Sequence, residues 1–412
     1  MKKLFLLARN FPYGISEPYL ESEIVYYEKF DEVHIFSLSV EKNSKIREIV
    51  LQNNIQVHKI YFKHKFRYII NTLNVLLEKD FWQEVKKILK MGPKFIFSLV
   101  DLLIFMSRAD IELREIEKII AENCNGDDEI TLYSYRFDYS SYIISKLNIN
   151  KEVKKIKKIS RAHGIDLYQF RHRNNYLPLR ERIIEKLNHL VFISNGGKRY
   201  MTQLFPKYEN KYLLSYLGTH GVSKLNKLCK TNQIEIVSCS NVISIKRLPL
   251  IFNALNMLNI PIHWTHFGDG EDFEKLKDIV KAARGGLKIT LRGRVSNMEI
   301  LSAYANNHYD LFVNVSTTEG LPVSIMEAMS AGIPVIATDV GGTKEILIDN
   351  FNGYLVPKNL TPEELTNKMM TFIQLSDSNK EYLRYNARKT WEDKFDSAKN
   401  YKKFNELLIE TT

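Results

Sequence analysis

Two glutamates, Glu319 and Glu327, stand eight positions apart on either side of a Gly-Leu-Pro break that begins at Gly320. The stretch VNVSTTEGLPVSIMEAMSAGIPVIAT places them between two apolar runs, which are typical of buried strands. Pro322 suits the first turn of a helix, so Glu319 is expected in the loop before that helix and Glu327 about one and a half turns inside it. The two carboxylates can therefore contact opposite ends of one bound molecule.

The start of this helix is a candidate anion site. Unpaired N–H groups at a helix N-terminus attract phosphate, and ligands of open α/β sheets bind beyond the carboxyl ends of the strands. A carboxylate is repelled by phosphate, so both glutamates are better suited to accept hydrogen bonds from neutral hydroxyls. A ligand with hydroxyl groups on both sides of a phosphate fits this arrangement, and a nucleotide sugar is such a ligand. The alternatives are a capping role for Glu319 and a solvent-facing helix position for Glu327.

The second half of the chain alternates strongly between strand and helix patterns. The segments are IEIVSCS, RLPLIFNALNML, IHWTHFGDG, FEKLKDIVKAA, KITLRGRV, NMEILSAYANN and DLFVNVS. This alternation predicts a doubly wound parallel sheet. DLFVNVS would end at the edge of the sheet where Glu319 follows.

The first half opens with a strand (KLFLLA), a helix (YLESEIVYYEKF) and a second strand (EVHIFSLS), and EITLYSY and HLVFIS supply further strands. From Ile55 to about Arg108 the pattern is helical, with Lys and Arg interleaved among aromatic and aliphatic residues. Such a segment is typical of a helix at a membrane surface. The alternative is an amphipathic helix packed on its own domain.

Length and composition indicate two globular domains, because 412 residues with 44% hydrophobic content exceed what one core usually organises. The net charge of +11 is uneven, with 13 Lys or Arg against 4 Asp or Glu in residues 151–200. This positive charge could bind nucleic acid, nucleotide phosphates or an acidic membrane. The alternative is a basic face that contacts only solvent.

Three cysteines without metal-ligand spacing favour a reducing compartment, so a cytoplasmic protein is expected. The start, MKKLFLLARNFPYG, has a short apolar stretch without a small-residue cleavage site and is typical of a first buried strand. The longest apolar run, from Phe95 to Met106, is too short for a transmembrane helix.

The segment EGLPVSIMEAMSAGIPVIATDVGG resembles the signature of the family 4 glycosyltransferases, which are retaining enzymes of the GT-B architecture. Their signature is a Glu, seven residues and a second Glu, followed by small residues and a Pro-Val strand. The resemblance extends to HFGDGEDFEKL, LRGRVSNMEILSAYANNHYDLFVNVSTTEG and NGYLVP, and it covers about residues 230–360. It implies an α/β fold with two Rossmann-like doubly wound domains that face a central cleft.

The expected domains are an acceptor-binding domain at residues 1–222 and a nucleotide-sugar-binding domain at residues 223–390. A C-terminal helix within residues 391–412 is expected to pack back on the first domain.

The resemblance implies that Glu319 holds hydroxyls of the donor sugar and Glu327 holds the ribose. It assigns donor binding to the loop and first turn of the signature helix, namely Glu319, Gly320, Leu321, Pro322, Val323 and Glu327.

A second group of donor residues follows from the other matched segments. In SNVISIKR, Lys246 matches a lysine that neutralises the departing diphosphate, and Asn241 stands where an arginine is common. One cationic contact is then missing unless Arg247 or a first-domain residue supplies it. Gly268 of HFGDG also belongs to the donor set. In GRVSN, Arg294 and Val295 would hold the base through the backbone, which leaves UDP and GDP open.

First-domain residues complete the implied site. FPYGISEPYLESEI resembles the loop where a glycine, Gly14, lets the backbone approach the donor phosphate, and Glu17 is a candidate acceptor-binding residue. SRAHGIDLY resembles a pattern of polysaccharide-assembling members, so His163 is expected to approach the transferred sugar, with Glu319 and Lys246 as the other catalytic residues. Arg136 could meet an acceptor phosphate. The alternatives are an ordinary tight turn, a structural histidine and a surface salt bridge.

The resulting hypothesis is a hexosyl-type glycosyltransferase that moves a sugar from a UDP- or GDP-sugar to a saccharide acceptor, with retention of configuration. A lipid-linked acceptor at the inner face of the cell membrane is expected, as in capsule or surface-polysaccharide assembly, with an anionic membrane surface as a partner. No cofactor and no metal are expected, because the sequence has no Asp-x-Asp motif. The rivals are a sugar-nucleotide epimerase of the same fold and a basic nucleic-acid-binding protein, although no nucleic-acid reader motif is present.

Overall fold

The computed structural model describes residues 1–14, 16–41, 43–61, 65–149, 153–172, 174–226 and 232–410. The chain divides into two compact units, which we call unit 1 and unit 2. Unit 1 comprises Met1–Ser215 together with Tyr401–Thr412, and unit 2 comprises Tyr216–Asn400. In the described part of the chain, no helix has the length and apolar content that spanning a membrane requires.

Unit 1 is built on a seven-stranded sheet of parallel pairs in the order β3-β2-β1-β4-β5-β6-β7. The strands are β1 (Lys2–Ala8), β2 (Glu32–Val40), β3 (Ile55–Tyr61), β4 (Glu129–Ser134), β5 (Lys155–Ala162), β6 (His189–Phe192) and β7 (Tyr212–Leu214). The prediction of a helical pattern from Ile55 is wrong for its first residues, because β3 pairs with β2 at the edge of the sheet.

The helices of unit 1 are α1 (Tyr19–Glu23), α2 (Lys65–Val75), α3 (Lys79–Ile88), α4 (Phe95–Glu122), α5 (Tyr139–Lys146), α6 (Gly164–Leu167), α7 (Arg180–Lys186) and α8 (Asn195–Leu204). Short 3-10 helices occupy Ile24–Lys29, Leu89–Lys94, Gln169–Arg171 and Pro206–Lys211. The helix predicted after the first strand is thus one α-helical turn that continues as a 3-10 helix.

Two hydrophobic cores lie on the two faces of this sheet. Successive side chains of a strand point to opposite faces, and β1 accordingly sends Phe5 and Leu7 into one core and Leu4 and Leu6 into the other. The core around Leu4 and Leu6 also contains Phe404, which lies near the C-terminus of the chain. The C-terminal residues therefore complete the packing of unit 1.

Several basic residues of the 151–200 segment face inward. Arg161 is fully buried and forms an ion pair with Glu23. Lys157 donates to the carbonyl oxygens of Leu407 at 2.5 Å and Glu410 at 2.6 Å. The Arg161 pair holds β5 to α1, and the Lys157 contacts hold it to the C-terminal segment, so part of the charge excess is structural rather than available to a ligand.

Unit 2 contains a six-stranded parallel sheet in the order β10-β9-β8-β11-β12-β13. The strands are β8 (Ile234–Cys239), β9 (Ile262–Phe267), β10 (Leu287–Leu291), β11 (Leu311–Asn314), β12 (Val335–Thr338) and β13 (Gly353–Val356). The predicted doubly wound sheet is confirmed. Strand order reverses between β8 and β11, which is where ligands of such sheets bind.

The helices of unit 2 are α9 (Leu248–Met257), α10 (Phe273–Val280), α11 (Asn297–Asn306), α12 (Val323–Ser330), α13 (Thr343–Ile346), α14 (Pro362–Ile373) and α15 (Asp377–Lys394). A further helix, α16 (Ser397–Ile409), begins in unit 2 and continues in unit 1. Together with the two parallel sheets, these helices confirm the predicted α/β class with two Rossmann-like units.

Candidate active site

A cavity of about 510 Å³ opens in unit 2 where the loops that follow β8, β9, β10 and β11 come together. It brings together nine of the residues predicted to bind the donor: Asn241, Lys246, Gly268, Arg294, Val295, Glu319, Pro322, Val323 and Glu327. A larger cavity of about 690 Å³ adjoins it and shares Phe267 and Val295. The smaller cavity carries the candidate chemistry because it contains the lysine and both glutamates.

Lys246 and Glu319 form an ion pair in this cavity. Lys246 Nζ donates to Glu319 Oε1 at 2.6 Å, and Asn314 Nδ2 donates to the same oxygen at 3.2 Å. Both charged side chains are largely shielded from solvent. Among the described residues, Oε2 of Glu319 accepts no hydrogen bond, so this oxygen is available to a hydroxyl of a ligand.

Backbone contacts hold this pair in place. The N–H of Thr317 donates to the carbonyl of Ile245 at 2.8 Å, which fastens the loop of Glu319 to the loop of Lys246. Behind Glu319 lies Gly341, with φ 56°, and a Cβ at that position would come 1.9 Å from the Glu319 carbonyl oxygen. The turn DVGG therefore needs glycine there, because only glycine allows so close a backbone contact at a positive φ.

Glu327 is a buried carboxyl on α12. Its Oε1 accepts a hydrogen bond of 2.5 Å from Asn297 Nδ2 at the start of α11. Burial raises the pKa of Glu327 to about 7, and the hydrogen bond from Asn297 opposes that rise. Burial, with a smaller contribution from Glu327, also raises the pKa of Cys239 to about 12. A carboxyl poised near neutral pH is a strong acceptor for a neighbouring hydroxyl once it is ionised.

The cavity wall opposite α12 depends on Gly268. Its φ is 137°, and a Cβ there would lie 1.8 Å from the carbonyl oxygen of Ser240. The N–H of Gly268 donates to the carbonyl of Gly293 at 2.9 Å. This contact sets the loop after β9 beside the loop that carries Arg294 and Val295.

Three predicted donor residues of unit 2 lie outside the lining of the cavity. Gly320 and Leu321 lie in the loop, and the carbonyl of Gly320 accepts from the N–H of Gly342 at 2.7 Å. Arg247 donates from Nε to Val315 O at 2.6 Å and from Nη1 to Lys358 O at 2.7 Å. Its guanidinium thus fastens loops of unit 2, and whether it replaces the arginine missing at Asn241 stays open.

Unit 1 carries the remaining predicted residues. Gly14 has φ 62°, in the turn after β1. Glu17 is buried, and its carboxylate accepts from the backbone N–H groups of Arg9, Asn10 and Phe11, each at 3.1 Å. Arg136 Nε donates to Glu17 Oε1 at 3.3 Å. The carboxylate of Glu17 thus holds the loop that it closes, and its role in binding an acceptor stays a prediction.

His163 lies at the end of β5, and its ring is 4.6 Å from the ring of Tyr135. Its Nε2 is 3.0 Å from the carbonyl oxygen of Tyr135, which can only accept, so Nε2 carries the proton. Burial, and then the charges of Arg161 and Arg136, hold the pKa of His163 well below its usual range. The neutral ring therefore has an unprotonated Nδ1 that can accept a hydrogen bond but cannot donate one.

Two residues of the site escaped the sequence-based assignment. Asn314 supports Glu319, and Asn297 supports Glu327. The sequence does contain a clue to each residue: Asn314 ends a buried strand, and Asn297 follows the GRVS segment. A polar residue at the carboxyl end of a parallel strand is a candidate site residue on position alone.

Comparison with known proteins matches the part of the chain that forms the cavity. Residues 224–390 match the family described as glycosyl transferases group 1, and this range contains all the residues of the cavity. This range of the chain is thus similar to members of that family.

Among relatives, the GtfA subunit of a UDP-N-acetylglucosamine–peptide N-acetylglucosaminyltransferase of Streptococcus agalactiae is 26% identical over 211 residues. That match covers 48% of this chain and 40% of the relative, so the chain spans less than half of its length.

Two solved structures share the fold over nearly the whole chain. The apo form of the lipopolysaccharide outer core galactosyltransferase WaaB has a TM-score of 0.69 and 14% identity, with 98% of each chain covered. Anabaena HepE in complex with UDP has a TM-score of 0.65 and 15% identity, with 99% of each chain covered. The two Rossmann-like units are thus those of the GT-B fold.

Proposed function

We propose that the protein is a glycosyltransferase that moves a sugar from a nucleoside diphosphate sugar to a saccharide acceptor. The observation that carries this proposal is the arrangement of Lys246, Glu319 and Glu327 around the N-terminus of α12. A cation and helix N–H groups suit a diphosphate, and the two carboxylates suit hydroxyls on either side of it.

In this reaction the bond between the sugar and the diphosphate breaks, and the acceptor hydroxyl forms the new bond on the same face of the sugar. Lys246 and the first N–H groups of α12 stabilise the negative charge that develops on the leaving phosphate. Glu319 holds sugar hydroxyls and orients the ring, and Glu327 holds the ribose. The leaving phosphate oxygen takes the acceptor proton, so the retaining reaction needs no protein nucleophile.

The ion pair between Lys246 and Glu319 couples binding of the diphosphate to binding of the sugar. Before the donor binds, the two side chains neutralise each other inside a shielded cavity. A diphosphate competes for Lys246, and this competition frees Glu319 Oε1 for sugar hydroxyls. Phosphate and sugar are thus recognised together, which favours the intact donor over either half alone.

The proposal also names the nucleotide, the acceptor and the cofactor requirement. The nucleotide is UDP or GDP, and the UDP complex of the structurally similar HepE favours UDP. The acceptor is a lipid-linked saccharide of capsule or surface-polysaccharide assembly, reached at the inner face of the cell membrane. The reaction uses no cofactor and no divalent metal, since Lys246 supplies a positive charge where the diphosphate departs.

A screen of nucleotide sugars by thermal stabilisation tests the proposal. A ligand at a hundred times its dissociation constant adds about 2.7 kcal/mol of stability, which is readily detected. We expect one nucleotide class to stabilise the wild type and Lys246→Met to lose most of that shift. Lys288→Met, an exposed change in the same unit, is the matched control and should keep it. No stabilisation by any nucleotide sugar, or an equal shift in Lys246→Met, would count against the proposal.

A further inference from the structure

Helix α2 carries apolar side chains on its outward side as well as on its inward side. Inward it places Val75, which is fully buried in the core, and Asn71, which donates to Ser107 O at 3.2 Å and Asp110 Oδ2 at 3.0 Å on α4. Its outward side carries Ile69, Ile70 and Leu73, and Leu73 is 67% exposed. A helix of a soluble protein normally turns its apolar side inward, so this surface calls for an explanation.

The neighbouring helices continue the pattern. On α4, Ile96, Val100 and Ile104 are exposed at intervals of four residues, which places them on one stripe of the helix. Trp82 of α3 is 54% exposed and donates from Nε1 to the carbonyl of Leu76 at 2.8 Å, next to the end of α2. Leu89 continues the outer side of α3.

We call this surface the apolar face. Its members are exposed hydrophobic residues of α2, α3, the first half of α4 and the turns between them: Phe66, Ile69, Ile70, Leu73, Leu76, Leu77, Trp82, Leu89, Ile96, Phe97, Val100 and Ile104. Single exposed hydrophobic residues are normal on protein surfaces, but so many on successive packed helices mark an interaction site.

Positive charge accompanies the apolar face. Residues 65–104, which span the apolar face, contain seven Lys or Arg against four Asp or Glu. Arg67 stands between Phe66 and Ile69, and the exposed Lys86 and Lys90 flank Leu89 at the end of α3. Basic side chains beside a broad apolar surface match the charge of anionic lipid headgroups. A second copy of the chain across a two-fold axis would instead bring like charges together.

We infer that the apolar face docks the protein on a lipid bilayer, with α2 and the first half of α4 lying in the headgroup layer and the lysines and Arg67 against anionic lipid. This inference goes beyond the sugar-transfer reaction and rests on residues outside the donor cavity. It deepens the proposed function, because docking would bring unit 1 to the membrane where a lipid-linked acceptor resides.

Vesicle sedimentation without nucleotide sugar tests the inference, so its outcome is independent of the proposed reaction. The probes are phosphatidylcholine vesicles with roughly one third phosphatidylglycerol and vesicles of phosphatidylcholine alone. We expect the wild type to bind the anionic vesicles more tightly. The triple variants Ile69→Gln/Ile70→Gln/Leu73→Gln and Ile96→Gln/Val100→Gln/Ile104→Gln should each bind on the order of tenfold or more weakly.

Matched controls separate apolar insertion from charge. The triple variant Val25→Gln/Leu204→Gln/Tyr385→Gln changes exposed hydrophobic residues outside the apolar face and should bind as the wild type does. Lys86→Gln and Lys90→Gln should each weaken binding to anionic vesicles by roughly fivefold and leave the weak binding to neutral vesicles unchanged. Glutamine is a good helix former, so α2 and α4 should persist.

Tryptophan fluorescence gives a second readout of the same surface. The chain has three tryptophans, and Trp264 and Trp391 are buried while Trp82 is exposed. Anionic vesicles should shift the emission to shorter wavelength and protect it from acrylamide, and Trp82→Phe should abolish the shift without abolishing sedimentation. The inference is overturned if the wild type sediments with neither vesicle, if the apolar-face variants bind as tightly as the control, or if these variants only dissolve a dimer of the chain.

Discussion

The buried carboxyl of Glu327 makes a testable link between stability and ligand binding. We predict that Glu327→Gln stabilises the ligand-free protein above neutral pH and weakens nucleotide binding. Glutamine keeps the shape of the side chain and the oxygen that accepts from Asn297 Nδ2, but it removes the charge that burial opposes.

The magnitude follows from the raised pKa. A glutamate titrates at 4.5 in the unfolded chain, and burial moves this value to about 7 in the folded protein. Between these two pH values the folded state holds a proton that the unfolded state has lost, so the free energy of unfolding falls as pH rises. The full loss is on the order of 3 kcal/mol above pH 7, since each pKa unit corresponds to about 1.4 kcal/mol.

Glu327→Gln carries no such penalty. The difference in stability between the variant and the wild type should therefore be small near pH 4.5, grow through the interval and level off above pH 7. For a unit of the size of Tyr216–Asn400, about 3 kcal/mol corresponds to a difference in melting temperature of roughly 6–12 °C. Other buried carboxyls titrate equally in both proteins, so the difference isolates Glu327.

The assay is thermal unfolding of the wild type, Glu327→Gln and the exposed control Glu271→Gln at a series of pH values. The same proteins are then titrated with the nucleoside diphosphate found in the screen, and Glu327→Gln should lose roughly tenfold to a hundredfold in affinity because a charged acceptor is gone. A stability difference that does not change with pH would refute the burial argument, and unchanged affinity would refute the ribose assignment.

Two further substitutions test how the site is held. Glu319→Gln should reduce the turnover number for transfer on the order of a hundredfold while circular dichroism shows an intact fold, and turnover equal to the wild type would remove Glu319 from the reaction. Gly341→Ala should destabilise the protein by roughly 2 kcal/mol or more in chemical denaturation, because its Cβ would meet the Glu319 carbonyl and φ is positive. Gly285→Ala, with no atom within 4 Å of its Cβ, is the control, and an equal effect of both changes would contradict the packing argument.

The sequence predicts the parallel sheet of unit 2 well, and nine of the expected donor residues line one cavity there, because the signals are local. Continuous apolar runs, helix patterns and the glycine-proline break at Gly320 each report on the backbone within a few residues. The two glutamates lie in one loop-helix segment, so their separation along the chain fixes how they are arranged. The pairing of Lys246 with Glu319 spans 73 positions and depends on which loops meet, which the sequence pattern alone does not encode.

The differences arise where tertiary contacts override a local pattern. Ile55–Tyr61 forms an edge strand although basic and aromatic residues follow it in a helical pattern, because β2 offers it a hydrogen-bonding partner. Arg247 has the right charge and position for a phosphate, yet nearby carbonyl groups take its guanidinium. Glu17 closes the turn after β1 through hydrogen bonds from backbone N–H groups, which its sequence position does not reveal. A buried charged side chain must be hydrogen-bonded, and the tertiary structure decides which groups are close enough to bind it.

The central claim is the transfer of a sugar from a nucleotide to an acceptor. The most direct measurement incubates the wild type with the stabilising nucleotide sugar and membranes of the cells that make the protein, and then analyses products by mass spectrometry. We expect equal amounts of free nucleoside diphosphate and of acceptor heavier by one sugar residue, with both formed on the order of a hundredfold more slowly by Glu319→Gln. Recovery of an epimerised nucleotide sugar without free nucleoside diphosphate would contradict it.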